Sequence, residues 1–285
     1  MQKSPLADRI KFASSFLFTP ALTKFNFDKG HECGADVTVL DLEDSIAIPE
    51  KSNARSNVLN FFQTRPPFIS AIRINSIRLN EGQRDLLLLA EMANLPDIIF
   101  LPKVQADEEI LIIEDTIRST NEKVPLLIAI IENALGLANI AQIAKVSSGL
   151  IFGSADYSAD VELDMNWQNL LHVRRKIADI AAAHNIISID TAYFDVHDQH
   201  GLFKECFRLK KIGFHAKAAI HISQIEPINK VFAPRPREII QAQQIIKKYK
   251  ETSGGAILLE TSMIGPPFVI LAQKILNRAK FRGLL

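Results

Sequence analysis

Short apolar runs recur along the chain, and longer stretches with helical spacing separate them. The runs cover residues 15–20, 37–44, 68–75, 97–103, 125–133, 149–157, 186–193 and 216–221. Several are almost unbroken in Val, Ile, Leu and Phe, the pattern of parallel strands covered on both faces. Between them, residues 24–34, 50–63, 81–93, 106–121, 136–146, 166–184 and 199–211 place apolar side chains three and four apart. Leu86, Leu89, Ala90 and Ala93 make one such face, and Ile110, Ile113 and Ile117 another. Strand–helix alternation carried to eight strands predicts an α/β fold, a closed (β/α)8 barrel, with an open doubly wound sheet as the other arrangement of the same pattern. A proline-rich stretch, 233–237, opens a helix to about residue 249, and Ser253-Gly254-Gly255 ends it. The expected organisation is a barrel over residues 1–250 and a C-terminal helical extension over 251–285, acting as a lid or an inter-subunit arm.

Composition narrows the function classes. With 285 residues and 47% hydrophobic content, the chain can bury one large core. Its 33 basic and 32 acidic residues leave no basic footprint for nucleic acid or an anionic membrane. No apolar stretch approaches the length of a membrane span. The early run Phe16-Leu17-Phe18 is interrupted by polar residues and is not read as a secretory leader. Cys33 and Cys206 have no metal-ligand spacing and suit a reduced, cytoplasmic protein. Phosphate-loop, dinucleotide and serine-hydrolase signatures are absent, and an isolated His197-x-x-His200 falls short of the three protein ligands zinc needs.

Chemistry concentrates where the strands are expected to end, the rim on which barrels of this kind carry their sites. Strand two ends in Asp41, Glu43 and Asp44, and strand three in Arg73-Ile74-Asn75. Lys103 closes strand four, Glu132 strand five, Asp156 strand six, Asp190 strand seven and Lys217 strand eight. Glu132 and Asp156 on neighbouring strands either share a cation such as Mg²⁺, which takes few protein carboxylates and keeps waters, or cap the helices that follow. Arg73 either stabilises a developing oxyanion or pairs with Asp41, Glu43 or Asp44, and the two roles are compatible. Those three acids either orient Arg73 and a metal-bound water or crowd a helix N-terminus. Lys103 either binds a substrate carboxylate or phosphate or is an ion-paired surface residue. Tyr157 and Trp167 read as packing aromatics.

The strings SFLFTPA, GADVTVLDLEDSIAIPEKSNAR, AIRIN, IIFLPKV, AIIENALGLANI, FGSADYSADV and IDTAYFD occur in this order and together resemble the HpcH/HpaI aldolase/citrate lyase family over residues 14–270. The resemblance is to members of the citrate lyase beta subunit and malyl-CoA lyase type. It implies a TIM barrel, a trimer or hexamer, and Mg²⁺-dependent cleavage of a 3-hydroxyacyl-CoA to an acyl-CoA and a 2-keto acid. It also implies Glu132 and Asp156 as metal ligands and Arg73 as the residue meeting substrate and enolate. From their place at the strand ends, Glu43 and Asp44 are expected to act in catalysis beside Arg73, and Lys103 with Glu132 to bind substrate. Two departures stand out. Gly265, in Met263-Ile264-Gly265-Pro266-Pro267, stands where the family carries an acid–base Asp, and Ile220-His221-Ile222-Ser223 lacks a proline near the family's CoA site. These departures keep two other readings open, a pyruvate-type lyase on a free acid and a non-catalytic binding subunit.

Overall fold

Each near-continuous apolar run becomes a strand because its side chains are buried on both faces. The computed structural model describes residues 5–22, 24–251, 257–259 and 262–285. In chain order the barrel elements are α1 (Pro5–Ile10), β1 (Ser15–Pro20), α2 (Lys24–Glu32), β2 (Val37–Asp41), α3 (Lys51–Phe61), β3 (Ser70–Arg73), α4 (Asn80–Glu91) and β4 (Ile98–Leu101). There follow α5 (Asp107–Arg118), β5 (Leu126–Ile131), α6 (Ala134–Ala138), α7 (Ile140–Val146), β6 (Gly149–Phe152), α8 (Ser154–Asp160), α9 (Trp167–Ala183), β7 (Ile187–Asp190), α10 (Gln199–Lys211), β8 (Ala216–Ala219) and α11 (Ile225–Phe232). The eight strands pair in parallel, each with the next, and β1 closes on β8 with Phe16 opposite Ala218. The closed barrel excludes the open sheet. It also brings the carboxyl ends of all eight strands to one rim.

The helices form where sequence supplies both an apolar stripe and an end signal. In α5, Ile110, Ile113 and Ile117 are buried, while Glu109 accepts the amide hydrogens of Gln105 and Ala106 at 2.8 and 3.0 Å and stacks acid at the positive helix end. In α9, Asn166 caps the first turn by accepting from the Asn169 amide, and Leu170, Val173, Ile177 and Ala181 turn inward.

Most strands are shorter than their apolar runs, and three of the differing boundaries bear on the site. Strand two stops at Asp41, because the Asp41 carboxylate takes the amides of Glu43 and Ser45 and bends the chain out of the sheet. Strand six stops at Phe152, so Asp156 lies in the first turn of α8 and not on a strand. The helix expected over 136–146 starts at Ala134 and breaks at Asn139 into α6 and α7.

The chain divides into compact units 1–229 and 230–285. In the second unit α12 (Pro236–Glu251) packs on α13 (Pro266–Phe281) around Ala242, Ile245, Ile264 and Ala272, with a two-strand hairpin of β9 (Ile257–Leu259) and β10 (Ser262–Ile264). The Ser253-Gly254-Gly255 break and Thr261 lie outside the described residues. Among the described residues, no helix is long and apolar enough to cross a membrane.

Candidate active site

A cavity of about 430 Å³ opens at the carboxyl ends of the strands. One wall is apolar, with Phe18, Ile130, Ile151, Phe152 and Phe194, and the other carries Asp41, Asp44, Arg73, Glu132 and Asp156. The polar wall is built from β2, β3, β5 and α8, so parallel-strand closure is what collects residues far apart in sequence.

Arg73 ends β3 directly across the ladder from Asp41. Its Nε and Nη2 donate to the two Asp41 oxygens at 2.6 and 2.7 Å, a bidentate pair, while Nη1 stands 3.0 Å from Glu43 and 3.6 Å from Asp44. Burial pushes the Asp41 carboxyl up, but the Arg73 bond and charge outweigh it and hold it below the usual range. Burial would likewise lower Arg73; the surrounding carboxylates instead keep it firmly protonated. Arg73 is thus both an ion-pair partner and a fixed cation in the cavity wall.

Lys51 fixes the acidic turn from behind. Its buried Nζ donates to the carbonyls of Leu42 and Glu43, each at 2.6 Å, and to Asn75 Oδ1 at 2.7 Å. Asn75 in turn donates to Asp85, which Arg55 pairs at 2.9 Å. The sequence reading missed Lys51, because a lysine at a helix start looks solvated until Asn75 is brought beside it.

Lys103 sits in the left-handed region, with φ of 55°, a conformation costly for a side-chain-bearing residue. Its amide donates to Glu132 Oε1 at 2.6 Å, and its Nζ lies 2.8 Å from Glu43 Oε1, 3.7 Å from Asp44 and 3.9 Å from Asp156. Desolvation opposes the Lys103 charge, yet its bond to Glu43 and the neighbouring acids raise its pKa overall. Burial pushes Glu43 up, with Arg73 acting against it. Glu132 is pushed up to about 8, first by burial and then by the charges of Glu43 and Asp156. The Lys103 amide and charge oppose that rise only in part.

The pair Glu132 and Asp156 fits a divalent cation of the magnesium type. Among the described residues, no three His, Cys, Asp or Glu side chains form a ligand cage. Two carboxylates at an open cavity match an ion that keeps water and substrate oxygens as its other ligands. Gly153 makes the room: a Cβ there would stand 2.4 Å from Glu132 Oε2.

Other strand-end residues do not join the site. Asp190 and Lys217 are fully buried and pair with each other at 3.0 Å; Arg174 holds Asp190 at 2.8 Å. Lys217 also donates to the Thr191 carbonyl, and the Thr191 hydroxyl meets Ser154 at 3.0 Å in the cavity wall. This buried network braces the rim. Tyr157 packs edge-on against Phe152, and Trp167 lies under Arg174 and Arg208.

Residues 14–222 match the family described as HpcH/HpaI aldolase/citrate lyase. The citrate lyase subunit beta of Leuconostoc mesenteroides subsp. cremoris is 31% identical over 268 residues, 88% of either chain. The mitochondrial citramalyl-CoA lyase of Homo sapiens is 29% identical, covering 92% of this chain and 84% of its own. Among solved structures, protein CitE from Mycobacterium tuberculosis in complex with magnesium, acetoacetate and coenzyme A has a TM-score of 0.79 and 27% identity, over 95% of this chain and 99% of that one.

Proposed function

Because the chain belongs to the HpcH/HpaI aldolase/citrate lyase family, we propose that it is an Mg²⁺-dependent carbon–carbon lyase. Its substrate is a 3-hydroxyacyl-CoA of the citryl-CoA or malyl-CoA kind, and its products are acetyl-CoA or a related acyl-CoA and a 2-keto acid. The observation that carries this reading is that Glu132, Asp156 and Arg73 line one cavity.

Glu132 and Asp156 hold the cation. Bound there, it supplies Lewis-acid polarisation of the hydroxy- or keto-acid oxygens. The chain's own groups divide the remaining work. Cleavage requires the 3-hydroxyl to lose a proton as the bond between C2 and C3 breaks, which leaves the electron pair as a thioester enolate that is then protonated at C2. Of the three acids at the end of β2 and just beyond it, Asp41 is occupied in orienting Arg73 and Glu43 in anchoring Lys103. Asp44 is exposed and lines the cavity, which supports it as the group that takes the hydroxyl proton, with Glu43 next to it. Arg73 presents fixed positive charge to the oxygen that becomes negative, and it needs no reorientation to do so. Lys103 lies at the same rim to meet a substrate carboxylate.

The two cysteines are free thiols, which supports a cytoplasmic protein. Met263, Phe268, Ile270 and Leu271 of the second unit stay exposed, apolar surface that supports a homo-oligomer of the trimeric or hexameric kind.

Gly265 favours a second reading, lysis of a free hydroxy acid without CoA, because it has no side chain to return the proton to C2. Calorimetry separates the two. Coenzyme A binding to the purified protein supports the thioester; its absence, with a keto acid still bound in the presence of Mg²⁺, supports the free acid.

A further inference from the structure

Five carboxylates, Asp41, Glu43, Asp44, Glu132 and Asp156, gather on the polar side of the cavity; among the described residues Arg73 and Lys103 ion-pair directly with four of them, and Lys51 adds its charge from behind Asp41, Glu43 and Asp44. Arg73 is committed to Asp41 by two bonds. Its Nη1 reaches Glu43 at 3.0 Å and Asp44 at 3.6 Å, while Lys103 extends to Glu132 and Asp156 as well. The Lys103 amide grips Glu132, while its ammonium stands 2.8 Å from Glu43, 3.7 Å from Asp44 and 3.9 Å from Asp156. The left-handed backbone, with φ of 55°, accompanies this double grip at a non-glycine position.

We propose that Lys103 is a resident counter-cation, which holds the acidic cluster together before a divalent ion arrives and yields Asp156 to that ion. The inference rests on reading Glu132 and Asp156 as the ion's ligands. An ammonium 3.9 Å from Asp156 stands where the ion and its waters must come, and two positive charges so close repel. The contact is long enough to exchange, and the flexible lysine stem keeps its shorter bond to Glu43 when Asp156 is given up. The affinity for the ion is therefore set by competition with a charge the chain carries itself.

Mn²⁺ titration followed by the resonance of the free ion tests this on the full chain, with thermal unfolding measured on the same samples. Lys103→Met keeps the backbone cost of a side chain at positive φ and removes only the charge. It should bind Mn²⁺ about tenfold more tightly, the scale of one electrostatic coupling. Its metal-free Tm should fall below the wild type, and Mn²⁺ should raise it by more. Lys103→Arg should stay near the wild type, and Asp156→Asn should abolish binding. Should Lys103→Met fail to fold, Lys103→Gln, uncharged but able to bond Glu43, takes its place. Unchanged or weaker binding in the uncharged variants, with Asp156→Asn still abolishing it, overturns the counter-cation and leaves the metal site standing. No binding by the wild type, or binding indifferent to Asp156→Asn, overturns the metal reading itself.

Discussion

Arg73 and Glu132 show how one environment sets opposite demands on two residues. Arg73 gains from its carboxylate neighbours, and Arg73→Lys keeps a charge there but not the fork that matches Asp41. The expected result is a loss of kcat on the order of 10²-fold with little change in KM, read from steady-state kinetics, while circular dichroism stays that of the folded barrel. Equal kcat in the two proteins would reduce Arg73 to a structural partner. For Glu132 the burden falls on the free protein. Its pKa rises from the ordinary 4.5 to about 8, so between those values the folded state holds more protons than the unfolded one. The Glu132 contribution to stability is thus complete at low pH and is lost as pH rises through 8. In EDTA, the wild-type Tm should therefore fall relative to Glu132→Gln between pH 5 and pH 8, and saturating Mg²⁺ should close the gap. A gap constant with pH would show that the carboxylate is already neutralised.

At the scale of elements, the junction of β6 and α8 decides whether the two carboxylates can meet. Gly153 sits between strand and helix, and a methyl there would come within 2.4 Å of Glu132 Oε2 and 2.5 Å of its Cβ. Gly153→Ala should displace Glu132 and weaken Mg²⁺ binding by about 10–100-fold in calorimetry, the range seen when the surroundings of a ligand are disturbed. Unaltered affinity would mean that Glu132 is free to move and is not seated by this junction. The eight strands were legible because burial on both faces writes them as unbroken apolar runs. The turn after Phe152 was not, since Gly153-Ser154-Ala155 continues the run with small residues and α8 is too short to declare a helical period. The acids and Arg73 could be found because each lies at a strand's last residue or within four residues beyond it. Lys51 could not, as its partners Leu42, Glu43 and Asn75 become neighbours only when β2, β3 and α3 close together.

For the whole molecule, the tail unit carries the departure that bears most on turnover. Gly265 caps the start of α13 with φ of −130°, and a Cβ there would meet nothing nearer than Pro267 Cδ at 3.9 Å. Gly265→Asp should consequently fold as the wild type does. On a malyl-CoA-like substrate it should raise activity by up to the general acid–base factor of about 10²–10⁴. No gain in a folded variant that binds CoA would mean that another group already delivers the proton. The central claim, a metal-dependent lyase centred on Glu132, Asp156 and Arg73, is tested most directly by one assay. Citryl-, citramalyl- and malyl-CoA are each incubated with the protein, and acyl-CoA and keto acid are quantified by mass spectrometry with Mg²⁺, with EDTA, and with Asp156→Asn. Matched release of the two products is expected from at least one substrate in Mg²⁺, and none in EDTA or from the variant. Cleavage that persists in EDTA, or no cleavage of any thioester by a folded protein that binds Mg²⁺, would contradict it.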